Sequence, residues 1–152
     1  MTALDALARE IATAALQTVR DSPAKEGTGG ILDTPDKSVA YFEPWRHKRK
    51  EHVVAVYLDA RGRPIAQEVI SIGTLTASLI HPREVLRPAL LHGAAAFLVA
   101  HNHPSGDPSP SREDREATER LRKAGELLGI PLLDHVILGA TGDFSFRAHG
   151  LL

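Results

Sequence analysis

A chain of 152 residues, 43% of them hydrophobic, is long enough to bury one core, so one domain with some peripheral sequence is expected. The formal net charge of −1 gives no overall attraction to nucleic acid or anionic membranes. The chain has no cysteine, which excludes disulfides and thiolate metal sites. Because no apolar run approaches the roughly 20 residues that span a bilayer, and no signal-peptide pattern opens the chain, a cytoplasmic location is expected.

The first part of the chain predicts a helix followed by a flexible linker. Apolar residues recur at helical spacing over residues 3–20, and residues 21–37 are rich in proline and glycine. The compact domain is therefore expected to begin near Pro35, which divides the chain into 1–34 and 35–152. The N-terminal helix could pair with a second copy, so a homo-oligomer is one expectation.

Beyond Pro35 the pattern predicts strands that alternate with helices, which is typical of an α/β sandwich. A short helix is expected over 36–43, and a second helix is expected to start at Pro82 and to be broken by Pro88. A third should run from its N-cap at Ser111 to Gly129. The expected strands are 51–58, 65–72, a further extended piece up to Ile80, 95–100, 132–138 and 144–146.

The buried strand 95–100 leads directly into His101-Asn102-His103. Side chains two positions apart on an extended segment point to the same side, so the two imidazoles can reach one point. Asp114 follows in the first turn of the third helix, after a stiff loop rich in proline. Two histidine nitrogens and one carboxylate oxygen make a three-ligand Zn²⁺ site that leaves a fourth position open for water.

Ser111 and Asp114 also fit a purely structural pattern. A serine followed three residues later by an acid is typical of a helix capping box, and an acid in the first turn favours the helix dipole. The two interpretations are compatible, because Ser111 can cap the helix while Asp114 binds a metal.

This spacing resembles a known motif. His101-x-His103, seven residues, Ser111, two residues and Asp114 match the JAMM motif of the JAB/MPN metallopeptidase superfamily. The stretch from His101 to Ser111 resembles the RadC branch in particular, and the resemblance covers about residues 35–149. It implies a JAB/MPN-like sandwich, a mixed β-sheet flanked by helices with a cytidine-deaminase-like architecture, and a zinc-dependent peptidase or isopeptidase activity on a protein or peptide substrate.

The motif also calls for an upstream glutamate that accepts a proton from the zinc-bound water. Glu51 opens the strand 51–58, and Glu68 lies inside the next strand. Glu51 has the position that the family implies, and Glu68 is more simply a solvated strand residue. Ser111 is expected to donate a hydrogen bond to the developing oxyanion. Asn102, Ser105 and Asp107 could support the metal ligands.

Other functions were weighed against this one. A zinc deaminase needs a Pro-Cys-x-x-Cys segment, which a chain without cysteine cannot supply. A metal-dependent nuclease would usually show a cluster of carboxylates and a basic groove. A scaffold role fits poorly with the presence of the ligands. The RadC resemblance also implies an alternative function, a DNA-repair-associated accessory or nucleic-acid-processing protein without peptidase activity. Separately, the basic run 46–50 could bind nucleic acid or an acidic partner, although a solvated segment is its simpler interpretation.

His135 allows two interpretations as well. It could support the zinc site from a neighbouring strand, or it could pack structurally in the core. Packing is the simpler prediction for a histidine within an apolar strand.

Overall fold

The structure is a computed structural model that describes residues 30–73 and 80–152. The helix predicted over 3–20, most of the linker and the extended piece expected before Ile80 lie outside the described residues. The boundary between 34 and 35 stays a prediction, although Leu32 is already buried against the core. Within the described residues, no helix has the length and apolar character needed to cross a bilayer.

The described part of the chain forms three α-helices, a single 3-10 turn and five strands. In chain order they are α1 (Pro35–Phe42), the 3-10 helix Glu43–Trp45, β1 (Glu51–Leu58), β2 (Pro64–Gly73), α2 (Pro82–Leu91), β3 (Ala96–Asn102), α3 (Arg112–Leu128), β4 (Leu132–Leu138) and β5 (Asp143–Ser145).

The five strands make one mixed sheet in the order β2-β1-β3-β4-β5. β1 pairs antiparallel with both β2 and β3, β3 pairs parallel with β4, and β4 pairs antiparallel with β5. A parallel pair needs a crossover connection, and α3 provides it between β3 and β4. The predicted α/β sandwich with a mixed sheet flanked by helices is confirmed.

Both faces of the sheet are buried, because alternate residues of the central strands are apolar on each side. On one face Val53, Ala55 and Tyr57 of β1 belong to a cluster that includes residues of α2 and α3. On the other face Val54 and Val56 belong to a cluster that includes Phe42 of α1 and residues of β3 and β4. Helices therefore cover both faces of the central strands, and the ends of these strands remain open for a site.

The prediction that Pro88 breaks the second helix is wrong. α2 runs without interruption from Pro82 to Leu91 with Pro88 inside it. A proline removes the hydrogen bond to the carbonyl four residues back, which here belongs to the exposed Glu84 and can be hydrated. The ring of Pro88 is itself buried, so its packing offsets part of the lost bond.

Candidate metal centre

The end of β3 brings two histidines together. His101 and His103 lie on the same side of the extended chain, and their Nε2 atoms are 2.9 Å apart. His101 is buried, whereas 16% of the His103 side chain is exposed. The backbone N–H of His103 donates to the carbonyl of Leu138 at 2.9 Å, which extends the sheet pattern beyond Asn102 and fixes the direction of the second imidazole.

Asp114 reaches the same point from the first turn of α3. One carboxylate oxygen lies 3.2 Å from His101 Nε2, and the other lies 3.2 Å from His103 Nε2. The helix starts with a complete capping box, in which Asp114 N donates to Ser111 Oγ and Ser111 N donates to Asp114 Oδ2. Such a cap stabilises a helix by about 1 kcal/mol, so the bond that starts α3 also aims Asp114 at the histidines.

Glu51, the first residue of β1, completes the group. Val53 lies opposite His101 in the antiparallel pair of β1 and β3, so Glu51 lies beside the segment that carries His103. Its Oε1 is 3.9 Å from His101 Nε2, and its side chain is 10% exposed. The ligand atoms of Glu51, His101, His103 and Asp114 all lie within 4.8 Å of one another. These four residues are called the metal group below.

Asn102 fastens the segment around Glu51. Its side chain is fully buried and points to the opposite side from the two histidines. Its Oδ1 accepts from His52 N at 2.7 Å, and its Nδ2 donates to the carbonyls of Lys48 and Lys50 at 3.0 and 3.1 Å. These hydrogen bonds fix the backbone on both sides of Glu51, so Asn102 helps to position the Glu51 carboxylate.

The charges at this point favour a bound cation. Burial raises the pKa of Asp114, but the side-chain contacts with His101 and His103 outweigh it and hold that pKa far below its usual range. Burial lowers the pKa of His103, yet its hydrogen bonds to Asp114 and to the Asp107 carbonyl outweigh burial and raise it. The group therefore keeps a carboxylate and draws positive charge to the space between the three side chains.

The distances also fit a metal ion. Ligand atoms about 2.0–2.2 Å from a tetrahedral zinc lie about 3.3–3.6 Å from one another. The separations between His101, His103 and Asp114 are 2.9, 3.2 and 3.2 Å, slightly closer than that. Glu51 lies farther out, with its Oε1 3.9 Å from His101 Nε2. Together these four residues form a possible metal site.

The sequence-family comparison agrees with this arrangement. The model of the family described as "RadC-like JAB domain" matches residues 32–151. The chain belongs to the RadC-like JAB domain family. Its mixed sheet and three flanking helices are consistent with the JAB/MPN-like fold that the sequence predicted.

Several relatives of this RadC-like chain carry the name UPF0758 protein. One from Methanosarcina acetivorans is 42% identical over 137 residues, which are 90% of this chain and 58% of the relative. Another from Thermotoga maritima is 46% identical over 121 residues, 80% of this chain and 54% of the relative. A third from Symbiobacterium thermophilum is 53% identical over 106 residues, which are 70% of this chain and 45% of the relative. The chain spans about half the length of these relatives.

The other predicted residues have these places in the RadC-like domain. Ser111 is exposed and caps α3, with its hydroxyl oxygen facing Asp114 N at 3.0 Å. Glu68 is partly buried and pairs with Ala55, roughly 13 Å along the strand from Glu51. The structure thus brings Glu51, and not Glu68, to the metal group. The carbonyl of Asp107 is within 2.8 Å of His103 Nδ1 and orients that ring.

A cleft of about 550 Å³ opens over the group. Its walls come from the segment before β1, the end of β2, the loop after β3 and the first turn of α3. Arg49 and Lys50 line one side, and Ser105 and Glu113 line another. Arg46, the first residue of the basic run 46–50, does not line this cleft. Its guanidinium donates hydrogen bonds to the Glu43 carboxylate and to two backbone carbonyls of the turn before β5.

Sequence reasoning gave too little weight to His135 and missed Thr118. His135 does pack in the core, where its ring stacks on Phe146 with centroids 5.1 Å apart. It also contacts the metal group, since its Nε2 lies 2.7 Å from His101 Nδ1. Thr118 Oγ1 lies 2.6 Å from His135 Nδ1. The available signal was positional: Thr118 is one helical turn after Asp114, on the same face.

The loop after β3 depends on a close approach at Gly139. A Cβ at Gly139 would lie 2.5 Å from the Gly106 carbonyl oxygen and 2.8 Å from Pro108 Cδ, so the loop that holds His103 would have to move. We expect Gly139→Ala to destabilise the protein by about 1–3 kcal/mol in urea denaturation. Gly142→Ala is the matched control, since its Cβ would meet only Pro108 Cγ at 3.8 Å. Equal stability of the two variants would contradict this account.

Proposed function

We propose that this chain is a zinc-dependent hydrolase that cleaves peptide or isopeptide bonds in a protein or peptide substrate. The observation that carries the proposal is the convergence of Glu51, His101, His103 and Asp114 within 4.8 Å, beside a cleft that Glu51, His103 and Asp114 line. Two nitrogens and one carboxylate oxygen, with no sulfur, are ligands that zinc accepts in catalytic sites. When bound, zinc supplies a Lewis acid that polarises a carbonyl and lowers the pKa of a water to about 7.

Glu51 has the properties of a general base. Burial raises the pKa of its carboxyl above the usual value, although nearby His101 and His103 oppose that shift. A raised pKa brings a carboxylate closer to the range in which it can both accept and return a proton near neutral pH. Glu51 would take the proton of the attacking water and deliver it to the leaving amine, and Asn102 would hold it in place through the adjacent backbone.

Ser111 would bind the oxygen of the scissile carbonyl. Its oxygen accepts the Asp114 N–H bond, which leaves the hydroxyl hydrogen free to donate. It is exposed at the wall of the cleft beside His103 and Asp114. One hydrogen bond to a developing oxyanion typically contributes about 2.7–4 kcal/mol to the transition state.

The first test is metal content. Elemental analysis of the purified chain is expected to give about one zinc per molecule, and His103→Ala is expected to retain much less, because a site with two inner ligands binds weakly. His52→Ala, which changes a histidine outside the group, serves as the control and should keep its zinc. Equal zinc in all three proteins, or stoichiometric iron or manganese instead, would overturn the proposal.

The second part of the test is the reaction itself. The zinc-loaded chain is incubated with a pool of synthetic peptides that includes lysine-linked branched peptides, and products are read by mass spectrometry. We expect new amine and carboxylate termini that disappear after chelation and return when zinc is restored. Cleavage that survives complete removal of the metal would contradict a metal-dependent hydrolase.

A further inference from the structure

A series of hydrogen bonds begins at His101 Nδ1, and the proposed metal site does not explain it by itself. His101 Nδ1 lies 2.7 Å from His135 Nε2, and His135 Nδ1 lies 2.6 Å from Thr118 Oγ1. Thr118 Oγ1 lies 2.6 Å from the backbone carbonyl of Asp114. All three side chains are buried, and His135 is completely so. This series of hydrogen bonds starts at His101 and ends at Asp114, which both belong to the metal group.

The direction of every hydrogen bond in this series follows from the backbone carbonyl of Asp114. A carbonyl oxygen can only accept, so the single hydroxyl hydrogen of Thr118 is donated to Asp114. Thr118 Oγ1 can then only accept from His135, which places a proton on His135 Nδ1. The hydrogen-bond partners of the completely buried His135 ring are Thr118 and His101, and neither is a carboxylate. A charged ring would lack a counter-ion there, so this ring carries one proton and its Nε2 keeps a lone pair. His135 Nε2 therefore accepts, and His101 Nδ1 donates.

His101 differs in this respect from the second histidine of the group. His103 Nδ1 faces the carbonyl of Asp107, an acceptor that fixes the proton on Nδ1 without help. The partner of His101 is another histidine, which could donate or accept. A further group must decide between these states, and Thr118 is that group.

We infer that Thr118 and His135 are positioning residues that hold His101 in the tautomer whose Nε2 lone pair faces the metal. This inference deepens the proposed function and rests on it for the identity of the metal. A neutral imidazole with its proton on Nε2 has no lone pair to give at that atom, so zinc would have to displace the proton first. Partners that orient a metal-bound histidine typically change metal affinity by a factor of about 10–100.

The first experiment reads the protons directly. Long-range ¹H–¹⁵N correlation spectra of the zinc-free chain at pH 8 are expected to show a proton on Nδ1 of both His101 and His135 and none on Nε2 of His135. In Thr118→Val, which keeps the shape of the side chain, the spectrum of His135 should show both tautomers. Thr118→Ser should restore the wild-type spectrum. A proton on His135 Nε2 in the wild-type chain would overturn the inference.

The second experiment measures zinc affinity by competition with a chromophoric chelator. Thr118→Val and His135→Phe are expected to bind zinc about 10–100-fold more weakly. Thr118→Ser should stay within about 2-fold of wild type, and His135→Gln should lose less than His135→Phe because its amide oxygen can still accept. Thr118→Val with wild-type affinity would overturn the inference. A wild-type chain that shows the expected tautomers but binds no zinc would sink the proposed function and leave the inference standing.

Discussion

Glu51→Gln is expected to keep a full equivalent of zinc and to lose hydrolysis. The amide is nearly the same size as the carboxylate and can still accept a hydrogen bond, but it cannot take a proton from water. Loss of a general base typically lowers kcat by a factor on the order of 10²–10⁴. The measurement is the initial rate of peptide cleavage together with zinc content for the same preparation.

Glu68→Gln is the matched control for that variant, because Glu68 is a glutamate of the neighbouring strand that lies outside the metal group. It should cleave at the wild-type rate. If Glu51→Gln retained its rate while Glu68→Gln lost it, the general base would have been assigned to the wrong strand. If Glu51→Gln lost its zinc, Glu51 would be an inner ligand, and the distance of 3.9 Å from its Oε1 to His101 Nε2 would have been misread.

Asp114→Asn is expected to weaken zinc binding by more than about 100-fold, beyond what the loss of an outer partner of a ligand typically costs. The change removes the only inner ligand that brings negative charge. It keeps a side-chain oxygen that can accept the Ser111 N–H, so the cap of α3 should survive. The measurements are the zinc dissociation constant by chelator competition and helix content by circular dichroism.

Glu113→Gln removes the same charge from the same turn without touching the inner ligands, since Glu113 is the exposed neighbour of Asp114. Its zinc affinity should stay close to that of wild type. If both variants lost zinc equally, the effect would come from charge at the helix terminus and not from ligation. If Asp114→Asn lost helix content as well, the capping role would dominate.

The sequence predicted the strands and helices well where a single pattern governs them. β1 and β4 are mostly apolar runs, and both were placed to the residue. α3 begins directly after its serine cap and ends directly before Gly129, whose φ of 70° is a conformation that glycine adopts without strain. α2 was predicted less well, because the low helix propensity of proline predicts a break at Pro88. The burial of the Pro88 ring is a tertiary contact that offsets this cost, and the sequence pattern does not show it.

The same limit applies to the site. His101, His103 and Asp114 could be proposed because they are close in sequence. Glu51 could be proposed because the resemblance to the JAMM motif calls for a glutamate at the start of an earlier strand. The contact between His101 and His135 could not be deduced, because it depends on the parallel pairing of β3 with β4, where Val99 lies opposite His135. Periodicity assigns a residue to a face of its own strand, but it does not determine which strand lies next to it.

The group joins two elements that the chain otherwise connects only through a long loop. Two of its imidazoles come from the end of β3, and its aspartate comes from the start of α3, so an ion bound between them would act as a clasp across residues 103–111. A ligand that binds only the folded state stabilises it by about 2.7 kcal/mol when its free concentration is 100 times its dissociation constant. The supply of zinc would then change the free energy of unfolding as well as the chemistry.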